Sequence, residues 1–418
     1  MATVSRNLPE RPHLDVPRRE AQELLECWRK KESDALERIR RRHPKFKDLT
    51  DDAIIARAPK LSDAQLVIAR EYGLGTWAAL KKRIAARSAA GALLEAIHAG
   101  NKEQVVAILR GAPEMLHLPV RSANWGPPMS HAANLGALEI VQACASLGAK
   151  DFQHAFDRAV LQGRIECARW LHSQGAKLVP GIIMGSCETL NAAGFKFLLE
   201  LGAPITGTDG NRLAPLTAAL GTYSRNTAGR HAILDLFAGL GYTLPDSPVM
   251  ALLRGDVRRL EKHLHENPRL LERQFALTEI YPPECGFSEG GPWGMHWTPI
   301  AGTTLLHLAI DFREPEILGW LLDGGADVNA RAAVDSEGFG GHTPLFNTVV
   351  NGPERDATAA RKLLDHGADR TLRANLRKFL DWCESPRWHI AKDVTAAEWA
   401  RGFPEGGWVN SEALKVLD

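Results

Sequence analysis

Leucine, isoleucine, valine and alanine recur along most of this chain at three- and four-residue spacing, in short runs punctuated by glycine and proline. That period predicts helices with one apolar stripe each. The runs are brief, so each stripe needs a neighbouring helix to cover it. Two longer amphipathic segments, Pro17 to His43 and Leu61 to Arg87, precede the short runs and also read as helices. One stretch breaks the period: between Leu271 and Gly302, Tyr281 to Phe287 and Gly290 to Trp297 are rich in glycine, proline and aromatic residues. A loop this long is functional or disordered as a rule, and its aromatic content argues for order.

The short runs repeat one another. Gly302-Thr303-Thr304-Leu305-Leu306-His307-Leu308-Ala309 leads into Glu316 to Asn329, and Gly341-His342-Thr343-Pro344-Leu345 leads into Lys362-Leu363-Leu364-Asp365-His366-Gly367-Ala368-Asp369. A third unit runs from Gly126-Pro127-Pro128 through Glu139-Ile140-Val141 to Leu147-Gly148-Ala149. Weaker copies end at Gly175, Gly202 and Gly241, and further units open at Leu93 and Val249, giving about eight in all. A stacked core needs about three. The spelling has physical reasons. Thr304 and Thr343 can cap a first helix, and Pro128, Pro215 and Pro344 suit its first turn, where the missing amide hydrogen costs nothing. Gly148, Gly175, Gly202, Gly325 and Gly367 fit the left-handed position that ends a second helix. His307, three residues after Thr304, is placed to hydrogen-bond that hydroxyl and tie one repeat to the next.

These units resemble the ankyrin repeat. The segment Leu61-Ser62-Asp63-Ala64-Gln65-Leu66-Val67-Ile68-Ala69-Arg70-Glu71-Tyr72-Gly73, with Trp77 beyond it, resembles the helical leader of a group of bacterial ankyrin-repeat proteins, and Val394 to Leu414 resembles their closing segment. The resemblance implies an all-α, ankyrin-repeat helical solenoid with short loop or hairpin insertions and helical caps at both ends. Its expected parts are a leader over 1–90, an array over 91–385 with an insertion near 272–302, and a closing cap over 386–418. It implies no substrate or cofactor. Gly148 to Gly175 and Gly175 to Gly202 span 27 residues each, against about 33 for an ordinary repeat, so those loops are trimmed. Gly325 to Gly367, at 42, carries an enlarged one.

Composition narrows the function. Hydrophobic residues make up 44% and charged residues 24%, as in globular proteins. Lys+Arg at 51 against Asp+Glu at 50 gives no field to attract nucleic acid or anionic lipid. The run Arg38 to Lys45 reads as the solvated last turn of a helix stopped by Pro44. A polar, proline-rich N-terminus and the lack of a long apolar stretch argue against export and membrane insertion. Cys27, Cys144, Cys167, Cys187, Cys285 and Cys383 are scattered without a CxxC pair, as expected of reduced, mostly buried thiols in a cytoplasm. His263 and His265, at i and i+2 of one helix, point apart, and with Cys285 and His296 they make no metal-ligand set.

A protein partner is therefore the expectation, with no metal or other cofactor. Solenoids offer extended concave surfaces without catalytic geometry, so the partner is expected in the concave groove and on the loop insertions. The residues singled out for contact are Trp125, Tyr281, Trp293 and Trp297, large and stiff with a polar handle, together with His131, Arg158, His296 and His342. His98, His131 and Arg158 occupy first-helix positions that in ankyrin proteins face the concave groove. The alternative is an enzyme or small-ligand receptor with a pocket under the insertion. It would use His296 or His342 as base and Glu279, Glu284, Asp335 or Glu337 as acid or orienting group, although no nucleophile elbow, phosphate loop or metal set accompanies them.

Overall fold

The computed structural model describes residues 6–9, 12–57, 60–121, 124–288, 295–352, 355–380, 385–404 and 406–418. The chain forms two compact units, Met1–Arg158 with Glu166–Ala176, and Ala159–Ile165 with Lys177–Asp418.

The first unit opens with α1 (Asp15–Arg29), α2 (Ser33–Arg42), α3 (Asp51–Ile55), α4 (Leu61–Glu71) and the start of α5 (Trp77–His98). They bury a core of their own, in which Leu24, Trp28, Leu36, Ile39, Val67, Ile68 and Leu80 are shielded from water. Each of the two long helices expected here is broken once. Lys31 adopts a φ of +64° between α1 and α2, and Gly73, at +74°, ends α4. The Thr76 hydroxyl then restarts the chain by accepting from the Ala79 amide at 3.1 Å. Alanine-rich α5 runs on past Leu93 without a stop, so leader and first repeat share one helix. Arg40, Arg41 and Arg42 fill the last turn of α2, where cations complement the carbonyl end. Arg38 grips Glu71 with two bonds of 2.9 Å. Beyond the leader, α6 (Lys102–Gly111), α7 (Pro128–Leu135) and α8 (Leu138–Ser146) follow, with α5 packed on α7 and α6 on α8. Next in the chain come α9 (Phe152–Leu161) and α10 (Ile165–Ser173).

The second unit continues as antiparallel pairs: α11 (Met184–Glu188) with α12 (Ala192–Glu200), α13 (Ala214–Gly221) with α14 (Thr227–Gly239), and α15 (Pro248–Leu253) with α16 (Val257–Glu266). After the insertion, which holds the short α17 (Leu277–Ile280), come α18 (Leu305–Asp311) with α19 (Pro315–Asp323) and α20 (Pro344–Val349) with α21 (Thr358–Asp365). First helices lie on first helices, α11 on α13 and α15 on α18 on α20, while α12 lies on α14. Each pair covers the apolar stripe of its neighbour, which is why Leu305, Leu308, Leu321, Leu345 and Leu363 are all buried. The five glycines expected to end second helices have φ between +77° and +102°.

The loops joining successive pairs also pair with one another. Phe275 bridges Thr303, the Ala333 amide donates to Gly302 O at 2.7 Å, Val334 bridges Gly340, and Gly340 bridges Asn375. At Asn375 this ladder enters an antiparallel hairpin, β1 (Ala374–Leu380) and β2 (Arg387–Val394). Two helices close the chain, α22 (Ala396–Gly402) and α23 (Ser411–Leu417). The closing segment, expected to be helical, thus contains a strand as well. No helix among the described residues is long and apolar enough to cross a membrane.

Candidate functional site

The insertion lies directly on the helices of the second unit. The Thr217 hydroxyl donates to Cys285 O at 2.8 Å, and the Met295 amide donates to Gly221 O at 3.1 Å. Tyr281, His296 and Trp297, picked from the sequence as contact residues, are buried at 1%, 4% and 5% exposure. Tyr281 Oη bonds His296 Nε2, and His296 Nδ1 lies 2.6 Å from Asp311 Oδ2. Arg225 completes the set: Nη2 donates to the same oxygen at 3.1 Å and to Met295 O, Nη1 to Thr222 O and Nε to Asp311 O. Its guanidinium stacks 5.1 Å from the Trp297 ring. Burial alone would raise the Asp311 pKa, but His296 and Arg225 outweigh it and hold the carboxyl down to about 2. Burial lowers the His296 pKa despite Asp311, and burial raises the Tyr281 phenol. Close by, Arg230 pairs with Glu314 at 2.9 Å, and His231 meets the same carboxylate at 3.0 Å. This is a closed clasp that fastens the insertion. Trp293 and Cys383 lie outside the described residues.

The acids considered for catalysis are engaged elsewhere or exposed. Glu279 accepts from the Ala276 amide at 2.9 Å and pairs with Arg273. Asp335 and Glu337 both pair with Arg377. Glu284 is exposed. The carboxylate beside His296 comes from α18 instead. Asp311, Arg225, Arg230 and Glu314 were not picked from the sequence; the available signal was charge at or close to the turns that join first and second helices.

In the first unit the sequence-selected residues do converge. Half-buried Trp125 has the guanidinium groups of Arg121 and Arg158 at 5.6 and 5.5 Å and the His131 ring at 5.0 Å. Arg158 is itself buried and holds Asn134 Oδ1 through Nε at 3.0 Å and Nη2 at 2.5 Å. His131 Nε2 sits 3.0 Å from His98 Nε2. Burial, then the neighbouring His98, Arg121 and Arg158, lower the His131 pKa to about 4.

The largest apolar exposure lies on the ladder side of the second unit. Val334 is 61% exposed, Trp388 56%, Ile390 54% and Phe379 41%, four of ten such side chains among the described residues. They are neighbours. Phe379 faces Trp388 across the hairpin with ring centroids 5.3 Å apart, and Arg377 faces Ile390. Arg377 lies between the Phe339 ring, at 4.7 Å, and the Trp388 ring, at 5.6 Å. Alternation explains the arrangement: Leu376 and Leu380 turn inward and are buried, while His389 stacks on Trp399 of α22 at 4.9 Å. Residues of opposite parity must then face outward. Between this face and the Val334 loop runs a groove of about 340 Å³, lined by Ala301, Ala333, Phe339, Leu376 and Trp388, with His342 at its floor. His342 is buried, its Nε2 3.0 Å from Pro299 O, and burial lowers its pKa to about 4.

Residues 301–333 match the family model of the ankyrin repeat. No curated protein matches the chain. Among solved structures it is similar to the crystal structure of the human ASB11 ankyrin repeat domain, at 18% identity over 71% of this chain and 98% of that chain, with a TM-score of 0.23. With its helices in stacked antiparallel pairs, the fold is an all-α ankyrin-repeat solenoid.

Proposed function

We propose that this chain is a protein-interaction scaffold whose partner docks on the ladder side of the second unit, across Val334, Phe339, Phe379, Trp388 and Ile390. The supporting observation is the gathering of four large exposed apolar side chains around one groove, rimmed by the Arg377, Asp335 and Glu337 cluster. Contiguous apolar patches with polar rims are characteristic of docking sites. Trp125 is the contact residue proposed for the first unit, with His131 and Arg158 behind it as support. Tyr281, His296 and Trp297 act by holding the insertion, and His342 by shaping the groove floor. On this reading the chain is a cytoplasmic member of the bacterial group its leader resembles, with 1–90 and 386–418 capping an array over 91–385.

The test compares the full chain with a Val334→Asp, Phe379→Asp double variant in parallel affinity captures from native extract, quantified by mass spectrometry. At least one protein enriched by the wild type should fall about tenfold or more with the variant. Both sites are exposed, so thermal unfolding should barely change. Identical captured sets would remove the docking surface from this face.

A further inference from the structure

We infer that β2 pairs edge to edge with β2 of a second copy of this chain, antiparallel, about a two-fold axis through Ile390. The inference goes beyond the docking proposal and stands or falls independently of it.

The ladder of loop strands ends at β2. Its inner edge pairs with β1, and among the described residues no strand pairs with its outer edge. In an antiparallel ladder every second residue turns its N–H and C=O away from the partner, so β2 presents a row of unused backbone groups. Such an edge is a template for another strand.

The side chains then select the strand. Set against itself antiparallel about Ile390, β2 places Trp388 opposite Lys392, Ile390 opposite Ile390, His389 opposite Ala391 and Arg387 opposite Asp393. Trp388, Ile390 and Lys392 share the outer face, so the first two of these pairings form on one surface. A cation over an indole and a β-branched pair are both favourable across strands, and no like charges meet. Neither Arg387 nor Lys392 has a carboxylate partner among the described residues; Arg387 reaches only Ser385 O, at 3.3 Å, and Lys392 the Phe339 ring. Asp393 already pairs with Arg373 and has a left-handed φ of +49°, which ends the regular strand. The central three positions therefore carry the pairing. Sliding the register by two residues sets Lys392 against Pro386 or Ile390 and removes the cation from the indole. A contact that presents the same strand from both sides is self-limiting and closes as a dimer. It would join the two hairpins into one four-stranded sheet with their aromatic faces side by side.

Cysteine scanning tests this in the full chain, with Cys27 and Cys383 replaced by serine. Ile390→Cys meets itself on the axis, within the roughly 4.4–6.8 Å Cα separation a disulfide spans, and should form a linked dimer under mild oxidant. Lys392→Cys alone should not, because the two copies of that position lie about 13 Å apart along the strands. An equal mixture of Lys392→Cys and Trp388→Cys should link. Sedimentation of the cysteine-intact chain should show a monomer–dimer equilibrium. Lys392→Glu, which sets a carboxylate on the indole, should weaken it at least tenfold, whereas Trp388→Glu, which sets a carboxylate on Lys392, should retain it. A chain monomeric up to about 0.1 mM, cross-linking at 392 alone as efficient as at 390, or a monomer that takes up an extended peptide on β2 would each overturn the inference.

Discussion

His307 and His342 couple consecutive repeats: Nε2 of His307 lies 3.2 Å from the carbonyl oxygen of His342, while its Nδ1 receives the Thr304 hydroxyl at 2.9 Å and the Thr304 amide at 3.3 Å. An amide can only donate, so Nδ1 must accept and Nε2 must carry the proton. The ring is therefore neutral, and a second proton would have nowhere to go without breaking the helix cap. Burial, reinforced by the neighbouring His342, accordingly lowers the His307 pKa to about 3.

This gives a direction to acid stability. His307 and His342 titrate at about 3 and about 4 in the fold and near 6.5 when unfolded. Between those values the unfolded chain binds protons that the native chain refuses, so stability falls as pH drops below about 6.5. The loss is about 2 kcal/mol for each residue by pH 5. Urea midpoints at pH 7.5 and pH 5 check it. His307→Gln should be less stable at pH 7.5 but show a shallower pH dependence, and an unaltered dependence would exclude His307 as a source.

Breaking the clasp under the insertion should be costly. Arg225 and Asp311 are buried partners, and removing one leaves the other charge unpaired, an effect of about 3–5 kcal/mol. Cys285 reports where the damage goes. It is fully buried in the insertion, and burial, with a smaller contribution from Glu284, raises its pKa to about 12, so it should resist thiol reagents in the native chain. In Arg225→Ala its labelling should accelerate at least tenfold while buried Cys187 stays protected. Equal acceleration at both would mean the whole unit loosens, rather than the insertion alone.

The contrast between clasp and repeats explains what could be read from the sequence. Helix starts at Pro128, Pro215 and Pro344, helix ends at Gly148 or Gly325, and the Thr304–His307 contact depend on residues a few positions apart, so a short window contains the whole cause. The burial of Tyr281 and His296 depends on Asp311 and Arg225, the latter 86 residues before Asp311, and no local pattern reports that pairing. The hairpin was hidden differently. Its period of two is present in Arg387 to Val394, but the large apolar residues Trp388 and Ile390 occupy the outward positions while His389 and Ala391 turn in. A reader who assumes apolar means inside assigns the wrong face, and the bulge at Ala374 to Leu376 breaks the alternation on the other strand.

Repeat packing leaves no room for a side chain at Gly229. Asn226 caps α14 by accepting from the Gly229 amide at 3.1 Å, while its Nδ2 donates to Leu190 O at 3.0 Å, so a single side chain both caps the helix and docks it on the previous repeat. That docking brings Leu190 O to 1.9 Å from where a Cβ on Gly229 would stand. One unit earlier Asn191 likewise accepts from the Gly194 amide at 3.0 Å, and Val160 O stands 2.2 Å from the corresponding point. Both glycines are therefore required by the approach of a neighbouring backbone, and not by their own backbone angles, since neither has a positive φ. Gly229→Ala should destabilise the chain by about 2–4 kcal/mol despite the better helix propensity of alanine, because backbone must move and two hydrogen bonds with it. Gly239→Ala, in the same helix with open space around it, should be neutral or slightly stabilising. Denaturation midpoints of the two variants separate steric docking from helix propensity, and similar values for both would refute the docking account.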